Sequence, residues 1–494
     1  MDRVCIETND DFGRHIVLSG DVKAGEVVVD EFPFAIGPKQ ASNIVCVNCF
    51  EDLDFDKEIT ACRVCTWPLC EQCQEETAVY HKSECEVFKK ANAKFSGMIN
   101  NETGVCTQLD CITPLRVLLK KEEDPERWEK EVECMEYHDL ARRTEIETWN
   151  ADLNNVAKYL RGPCKLQRFS EDLIMQVIGI LEVNAFEGRT ASGYVFRGLY
   201  PMTGILAHNC VPNTSRSIYP SENYRIRLRA MVDLKEGQQL YHSYTYTLSG
   251  TRYRQEHLKS GKFFICKCER CVDPTELGTH FSSFKCTKCD PGWFHTTNPI
   301  NAQAEWKCTH CAYKLSGETV QKATIAMQME IDQAMAMENS PEKIEALEKI
   351  SKKFKSLLHP LHYMNTGMRQ SLIEMYGRVN GYGIADLPDI LLEHKQEICE
   401  QVLRVLNKFE PGISRSRAFT LYEMHVPIVL LAKSAFIAGV LSPENLKDRL
   451  QNAIDVLNEC VSILKYEDKA SQEGGLCTLA EKAVEQLNIS AESL

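Results

Sequence analysis

The segment from Cys46 to Cys85 reads CVNCFEDLDFDKEITACRVCTWPLCEQCQEETAVYHKSEC. It contains four closely spaced pairs of potential metal ligands, which are Cys46 and Cys49, Cys62 and Cys65, Cys70 and Cys73, and His81 and Cys85. Zinc prefers thiolate and imidazole ligands, and eight ligands complete two tetrahedral sites. A short segment with few large apolar side chains cannot fold by burial alone, whereas zinc contributes roughly 10–16 kcal/mol per structural site. The paired spacing disfavours the alternative of eight unrelated buried side chains.

Two further cysteine groups follow. The first contains three cysteines, Cys266, Cys268 and Cys271, and therefore needs a fourth zinc ligand from elsewhere in the chain. The second consists of two C-x2-C pairs separated by 18 residues, a spacing typical of a zinc ribbon, and its members are Cys286, Cys289, Cys308 and Cys311. Neither group has an obvious carboxylate base beside it. We interpret all four zinc sites as structural, and a catalytic zinc is the alternative.

Composition indicates a folded intracellular protein of several domains. The chain has 494 residues, of which 44% are apolar and 26% charged, and its length predicts about three domains. The net charge of −13 argues against nucleic-acid binding by bulk electrostatics. The first ten residues lack the apolar stretch of a secretion signal, and the apolar run Val426 to Leu441 is interrupted by Lys433, which argues against a membrane span. We therefore expect a cytosolic or nuclear protein, where clustered cysteines bind metal rather than form disulfides.

The two halves of the chain predict different secondary structure. Val27 to Val29 and the alternating segment Tyr224 to Ala230 predict short strands, and a further strand is expected between Gln239 and Tyr244. After about residue 318, apolar residues recur at helical spacing in two sets, which are Ile344, Leu347, Ile350, Phe354, Leu357 and Leu358, and then Leu446, Leu450, Ile454, Leu457, Val461 and Leu464. Stacked antiparallel hairpins and a plain helical bundle both remain possible for this part.

One motif makes a family resemblance specific. The segment 206–213, LAHNCVPN, resembles the N-H-S-C-x-P-N motif of SET-domain lysine methyltransferases, and Ser243, Tyr244 and the three-cysteine group follow it in the family's order. The eight-ligand segment resembles a MYND zinc finger. A MYND finger inserted after an N-terminal SET strand is similar to the layout of the SMYD family, and the additional zinc ribbon resembles the insect-type SmydA branch.

The resemblance implies an α+β fold over essentially the whole chain. It predicts a strand-rich, zinc-containing SET domain interrupted by the MYND finger, and an all-α, TPR-like C-terminal domain that packs against the SET domain and forms one wall of a cleft leading to Tyr244. The expected domains are an N-terminal SET portion (1–45), the MYND finger (46–85), the SET insertion and core (86–255), a post-SET zinc segment (256–275), a zinc ribbon (276–317) and a helical domain (318–494).

The resemblance also assigns the zinc ligands. In the MYND finger the first and third pairs share one zinc and the second and fourth pairs share the other, so Cys46, Cys49, Cys70 and Cys73 would form one site and Cys62, Cys65, His81 and Cys85 the other. Cys210 would be the fourth ligand beside Cys266, Cys268 and Cys271. One departure concerns Cys70 and Cys73, which two residues separate where the family usually has three; this difference predicts a shift in the geometry of the first site.

The resemblance further implies S-adenosylmethionine as cofactor and a lysine on a histone or other protein as substrate. Tyr244 is similar to the tyrosine at the methyl-transfer channel, where a hydroxyl orients the amine. The expected cofactor contacts are the turn Gly13-Arg14 through its backbone, Asn184, His208 through its backbone, the aromatic ring of Phe264, and Glu136. The resemblance also implies a proline-rich peptide as partner of the MYND finger and a role in transcription.

Three departures weaken the expectation of catalysis. Ala207 replaces the first asparagine of the motif, His15 replaces a glycine of the N-terminal turn, and Lys262 stands where the family has a second channel tyrosine. If the Lys262 side chain points into the lysine channel, its ammonium group would face the substrate amine. The alternative function is therefore a weak or inactive SET-MYND scaffold that binds partner proteins.

Overall fold

The computed structural model describes residues 3–54, 60–75, 79–97, 100, 103–384 and 386–494. In its first half, short antiparallel strands surround a small set of helices. Two three-stranded sheets form, one from Val27–Glu31, Arg225–Ala230 and Thr214–Tyr219, and the other from Ala35–Gly37, Val195–Leu199 and Phe186–Arg189. Two pairs complete the strand-rich part, the antiparallel hairpin Val4–Asn9 with Gly13–Leu18 and the parallel pair Ala207–His208 with Tyr241–His242.

The predicted strands form because their apolar side chains alternate with polar ones. In Arg225–Ala230, Ile226, Leu228 and Ala230 are buried while the three arginines between them are partly exposed. The strand expected between Gln239 and Tyr244 is shorter than predicted, since only Tyr241–His242 pairs as a strand. The helices of this half are Glu71–Glu75, Lys82–Ala91, Ile112–Glu123, Pro125–Arg127, Asp139–Arg142, Ile146–Asp152, Lys158–Arg161, Glu171–Asn184, Thr251–Lys262 and Glu269–Val272.

The second half is a zinc-ribbon sheet followed by helices. The sheet is antiparallel, in the order Phe284–Lys285, Trp293–Thr296, Trp306–Cys308 and Lys314–Leu315. The helices are Gly317–Met335, Pro341–Phe354, Tyr363–Met375, Asp389–Phe409, Arg415–Ile437, Pro443–Leu464 and Gln472–Glu492. Their main contacts run between helices consecutive in the chain, an arrangement that favours stacked hairpins over a closed bundle.

One predicted helix ends earlier than its apolar pattern suggested. The helix Pro341–Phe354 stops before Leu357 and Leu358, and Leu357 is exposed whereas Leu358 is buried beyond the helix end. Helical periodicity cannot locate such a boundary when the next apolar residues are buried by a loop. Ser442 followed by Pro443 predicts a helix start, with serine as the N-cap and proline at the first helical position. The structure confirms it, because the Ser442 side chain accepts a hydrogen bond from the Asn445 N–H.

No segment was expected to resemble a membrane span, but the helix Arg415–Ile437 does so in length and composition. By length and composition alone it is apolar enough to cross a membrane, with a hydropathy of 1.2 over its most apolar stretch. Leu421, Ile428 and Ala432 of this helix are nevertheless buried in the apolar core of the helical domain. Core helices commonly have such a composition.

The helical domain packs against the SET strands, as the family resemblance implies. The Tyr219 hydroxyl donates a hydrogen bond to the Tyr466 carbonyl, and the Arg229 guanidinium lies 4.7 Å from the centroid of the Tyr466 ring. The Ile413 N–H donates to the Met231 carbonyl over 3.0 Å. These contacts join strands and helices that lie about 200 residues or more apart in the sequence. The predicted cleft leading to Tyr244 stays a prediction.

A glycine pair tests this packing. Gly412 (φ +77°) and Gly439 (φ +73°) both adopt left-handed backbone, but an added Cβ would overlap the Met231 carbonyl only at Gly412, whereas Gly439 has open space around it. We expect Gly439→Ala to lower the free energy of unfolding by about 1 kcal/mol, and Gly412→Ala to lower it by about 2–4 kcal/mol because overlap adds to strain. Denaturant unfolding measures both values, and equal losses would contradict the described interface.

Candidate functional site

The structure brings the predicted zinc ligands together in four groups. Within each group the potential ligand atoms lie within 4.8 Å of one another, and the groups are Cys46, Cys49, Cys70 and Cys73; Cys62, Cys65, His81 and Cys85; Cys210, Cys266, Cys268 and Cys271; and Cys286, Cys289, Cys308 and Cys311. This confirms the alternating pairing in the MYND segment and Cys210 as the fourth member of the third group. The short spacing between Cys70 and Cys73 does not prevent the first group from forming. Three groups of cysteines and one of three cysteines with a histidine match the ligand sets of structural zinc sites.

A buried carboxylate orients the one histidine ligand. Glu84 lies one turn after His81, and its Oε1 is 3.1 Å from His81 Nδ1, so His81 presents Nε2 to the cysteine group, 3.2 Å from Cys65 Sγ. Burial raises the pKa of Glu84, but Arg116 and His81 outweigh it and hold that pKa below its usual range. Arg116 also donates to the Val47 carbonyl over 2.6 Å. Arg116 thus joins the SET insertion to the finger through Glu84 and Val47. Within the finger, the carboxylate–histidine contact is of the kind that fixes ligand tautomers.

Two buried arginines surround the third cysteine group. Arg254 Nε donates to Cys210 Sγ over 3.2 Å, and its Nη1 lies 2.9 Å from Glu276. Arg270 contacts the same carboxylate over 3.0 Å and donates to the Cys210 carbonyl over 3.2 Å. Burial raises the pKa of Glu276, but the two arginines outweigh this effect and lower the pKa to about 2. These positive groups balance the charge that four thiolates with one zinc would carry.

The sequence analysis did not identify this second layer of residues. Glu84 carried a usable signal, since it lies three residues after a metal-ligand histidine and shares a helical face with it. Arg254, Arg270 and Glu276 carried none, because burial of an ion-pair network depends on the packing of distant segments.

Tyr244, His208 and Phe264 form the centre of the candidate active site. The Tyr244 ring centroid lies 5.2 Å from that of His208 and 6.4 Å from that of Phe264, which it meets edge to face. The Tyr244 N–H donates to His208 Nδ1 over 2.9 Å, so the Nε2–H of the neutral imidazole faces Cys210 Sγ at 3.3 Å. The Tyr244 hydroxyl donates to the Leu206 carbonyl. The cysteine group therefore fixes the aromatic rings in place through His208.

Burial keeps both polar rings of this centre uncharged. It raises the pKa of Tyr244 to about 12 and lowers the pKa of His208 to about 4. At neutral pH, Tyr244 is therefore a phenol whose proton is directed to the Leu206 carbonyl, while its oxygen retains lone pairs that can accept a hydrogen bond. Tyr244 is a group that can orient an amine and has little capacity to act as a base.

The segments that carry the remaining predicted cofactor contacts are hydrogen-bonded to one another. The Asn184 side chain donates from Nδ2 to the Glu136 carbonyl over 2.8 Å, and Arg14 donates to the Cys134 carbonyl over 3.1 Å, so three separate segments meet. Gly13 has a left-handed φ of +62° at the start of its strand. The Glu136 side chain is exposed and accepts hydrogen bonds from the backbone of the two following residues, including the His138 N–H over 2.7 Å.

The two smaller departures from the family motif are accommodated in the fold. The His15 ring is buried, and its Nδ1 lies 3.0 Å from the Gly13 carbonyl, so the ring closes the turn that precedes it. Ala207 is buried in the parallel strand pair opposite Tyr241. Neither residue disrupts the backbone that carries the predicted cofactor contacts.

Lys262 lies beside Tyr244. Its Nζ is 5.8 Å from the Tyr244 ring centroid and donates to the Val183 carbonyl over 2.6 Å and to the Glu182 carbonyl over 3.5 Å. Burial lowers its pKa from the usual range. The side chain is partly buried, unlike that of an ordinary surface lysine. It occupies the last residue of the helix Thr251–Lys262, whose end is close to the third cysteine group.

Comparison with known proteins finds similarity to proteins with SET domains. No protein-family model matches the chain. It is 30% identical over 309 residues to the SET domain-containing protein SmydA-8, isoform A, of Drosophila melanogaster, in an alignment covering 60% of this chain and 63% of the fly protein. The histone-lysine N-methyltransferase Smyd1 of Mus musculus is 25% identical over 59% of each chain. The histone-lysine N-methyltransferase ASHR1 of Arabidopsis thaliana is 22% identical over 74% of this chain and 76% of its own. The chain spans less than two thirds of the fly and mouse relatives.

The cysteine groups predict the metal content directly. We expect four zinc ions per chain by elemental analysis, and eight free thiols outside the zinc sites because 15 of the 23 cysteines belong to the four groups. Cys210→Ser should lose one zinc, since three thiolates bind zinc much more weakly than four. Cys460→Ser is the matched control, because Cys460 is buried in the helical domain away from the four groups. Two or fewer zinc ions in folded protein would contradict the assignment.

Proposed function

We propose that this chain belongs to the SMYD family of SET and MYND domain proteins, with its similarity to SmydA-8 matching the SmydA branch, and that it is a protein-lysine N-methyltransferase. The proposed cofactor is S-adenosylmethionine and the proposed substrate is a lysine of a histone or other protein. The observation that supports the proposal is the packing of the Tyr244 ring against the His208 and Phe264 rings, because the family resemblance assigns this tyrosine to the methyl-transfer channel.

The residues around Tyr244 fit the cofactor chemically. An adenine can pack on the Phe264 ring, and the family resemblance assigns the His208 backbone to the same side. Asn184 uses its Nδ2 in two hydrogen bonds to carbonyls, and its Oδ1 forms none with the residues described here, so Oδ1 can accept from the cofactor's ammonium group. When bound, S-adenosylmethionine would supply a methyl group on a sulfonium sulfur, and a neutral amine can bond to that methyl carbon as the thioether leaves.

The protein's own contribution is alignment and exclusion of water. The Tyr244 hydroxyl, held by the Leu206 carbonyl, can accept a hydrogen bond from the substrate amine and fix its direction. The Tyr244 and Phe264 rings shield the centre from solvent, which favours the neutral amine over its ammonium form. No strong base is required, in accordance with the raised pKa of Tyr244, about 12.

A second candidate function is a SET-MYND scaffold with weak or no activity. Lys262 favours it, because its ammonium group lies 5.8 Å from the Tyr244 ring centroid. Two like charges held 4 Å apart repel by about 4 kcal/mol at an effective dielectric constant near 20. In this case the function would be carried by the MYND finger, for which we propose a proline-rich peptide partner, and by the helical domain.

For either candidate we propose a role in transcriptional regulation, in the cytoplasm or nucleus.

Cofactor-induced stabilisation distinguishes the two candidates. With S-adenosylmethionine at 100 times its dissociation constant, the free energy of unfolding should rise by about 2.7 kcal/mol. Tyr244→Phe should keep this stabilisation but lose methyl transfer by about 100-fold, because it removes the oxygen that orients the amine and no cofactor contact. Denaturant unfolding and a labelled-methyl assay on lysine peptides measure the two effects. The absence of any stabilisation by millimolar cofactor would contradict the methyltransferase proposal and support the scaffold.

Substitution of Lys262 tests whether its charge restricts activity. Lys262→Tyr should raise methyl transfer to a generic lysine peptide by about 10-fold or more, since it removes a nearby positive charge and supplies a second channel hydroxyl. Lys262→Met retains much of the side-chain length without charge, so it separates loss of repulsion from gain of the hydroxyl. Rapid methylation of such peptides by the wild-type protein, unchanged in both variants, would show that Lys262 does not limit the reaction.

A further inference from the structure

In the part of the chain that the structure describes, one half-buried arginine, Arg216, forms no ion pair. Arg216 lies on the strand Thr214–Tyr219, and its guanidinium carbon is 5.0 Å from the centroid of the Phe186 ring. Phe186 follows the proposed cofactor contact Asn184 by two residues, and its ring centroid is 6.1 Å from that of His242. The Phe186 ring therefore lies close to both Arg216 and His242, and His242 precedes Tyr244 by two residues.

The hydrogen bonds of Arg216 leave most of its donors free. Its Nη2 lies 3.4 Å from the Glu187 carbonyl, a long contact, and within the described ranges the guanidinium forms no ion pair. Of the carboxylates near it, Glu187 pairs with Lys39 over 2.9 Å. Glu467 forms a two-pronged pair with Arg415, with both distances 2.7 Å. The nearby acidic groups are thus paired with other cations.

Arg216 is also poorly placed for hydration. Burial lowers its pKa to about 10, and the positive charge of Arg415 acts in the same direction. A guanidinium that is partly removed from water and repelled by a neighbouring cation gains more from a carboxylate partner than an exposed one does. Binding of a ligand that carries an anionic group would therefore be favourable at this site.

The helical domain fixes the position of this arginine. Arg415, at the start of the helix Arg415–Ile437, donates from Nη2 to the Arg216 carbonyl over 2.6 Å while it remains paired with Glu467. The backbone of Arg216 is thereby held from one side by its sheet and from the other by the helices. A guanidinium on a fixed backbone loses less conformational entropy on binding than one on a loop.

From this arrangement we propose that Arg216 selects substrates in which an aspartate or glutamate lies near the methyl-accepting lysine. The inference rests on the proposed lysine methyltransferase function and specifies the class of peptide that this site accepts. The carboxylate would bind the free donors of the Arg216 guanidinium, a pairing for which the planar fork of arginine is well suited. The Phe186 ring, packed beneath the guanidinium, would cover the aliphatic part of the acidic side chain.

A positional peptide library tests the proposal. Each peptide carries one central lysine, and each flanking position is occupied in turn by Glu, Gln or Lys, so that Glu and Gln differ in charge but hardly in shape. For wild-type protein, binding measured by fluorescence anisotropy should favour Glu over Gln by about 10-fold at one or two positions, the size of a charge-assisted hydrogen bond. Arg216→Gln should remove the preference, and Arg216→Glu should shift it to Lys at the same positions.

Two controls separate this inference from the proposed function. Arg404→Glu makes the same charge change on an exposed part of the helical domain and should leave the preference for Glu intact. Cofactor stabilisation should be unchanged in all Arg216 variants. Lysine peptides that bind and are methylated without any preference for Glu would overturn the role of Arg216 alone. Absence of both cofactor stabilisation and lysine-peptide binding would overturn the proposed function, and the inference with it.

Discussion

The contact on which the rest of the site depends is the meeting of Cys210 with Cys266, Cys268 and Cys271. Cys210 lies in the motif that carries His208, and the three other cysteines follow Phe264, so one metal site would hold both aromatic groups. His208 in turn holds Tyr244 in place, because the Tyr244 N–H donates a hydrogen bond to the His208 imidazole. Arg270 extends it to the helical domain, since its guanidinium carbon lies 3.3 Å from the centroid of the Phe409 ring.

Sequence reasoning predicted the parts of this architecture that depend on local spacing. The clusters of potential ligands, the strand around Ile226 and Leu228 and the start of the helix at Ser442 follow from patterns within about 40 residues. The family resemblance added Cys210 and the pairing of ligands within the finger. Arg254, Arg270 and Arg216 could not be found in this way, because their roles depend on how segments distant in sequence pack. For the same reason the end of the helix at Phe354 was misplaced, since Leu358 is buried by contacts outside the helix.

In the proposed enzyme, we expect the positive charges of Lys262 and Arg216 to influence which substrates bind. Lys262 and Arg216 lie on different segments, and both are partly buried cations for which the described residues provide no carboxylate in ion-pair contact. Lys262 is bonded to backbone carbonyls, whereas Arg216 retains free donors. The whole chain is acidic, with a net charge of −13, so this local positive charge is a property of the site and not of the protein's composition. An acidic peptide with a single lysine would provide carboxylates to both Lys262 and Arg216.

The central claim is that this zinc-organised site transfers a methyl group to a protein lysine. The most direct measurement is mass spectrometry of a lysine-peptide array and of histones after incubation with S-adenosylmethionine that carries a deuterated methyl group. The account predicts labelled methyl-lysine in the wild-type reaction and little or none with Tyr244→Phe. The absence of labelled lysine with the zinc-loaded wild-type protein on all these substrates, together with no binding of the cofactor, would contradict it.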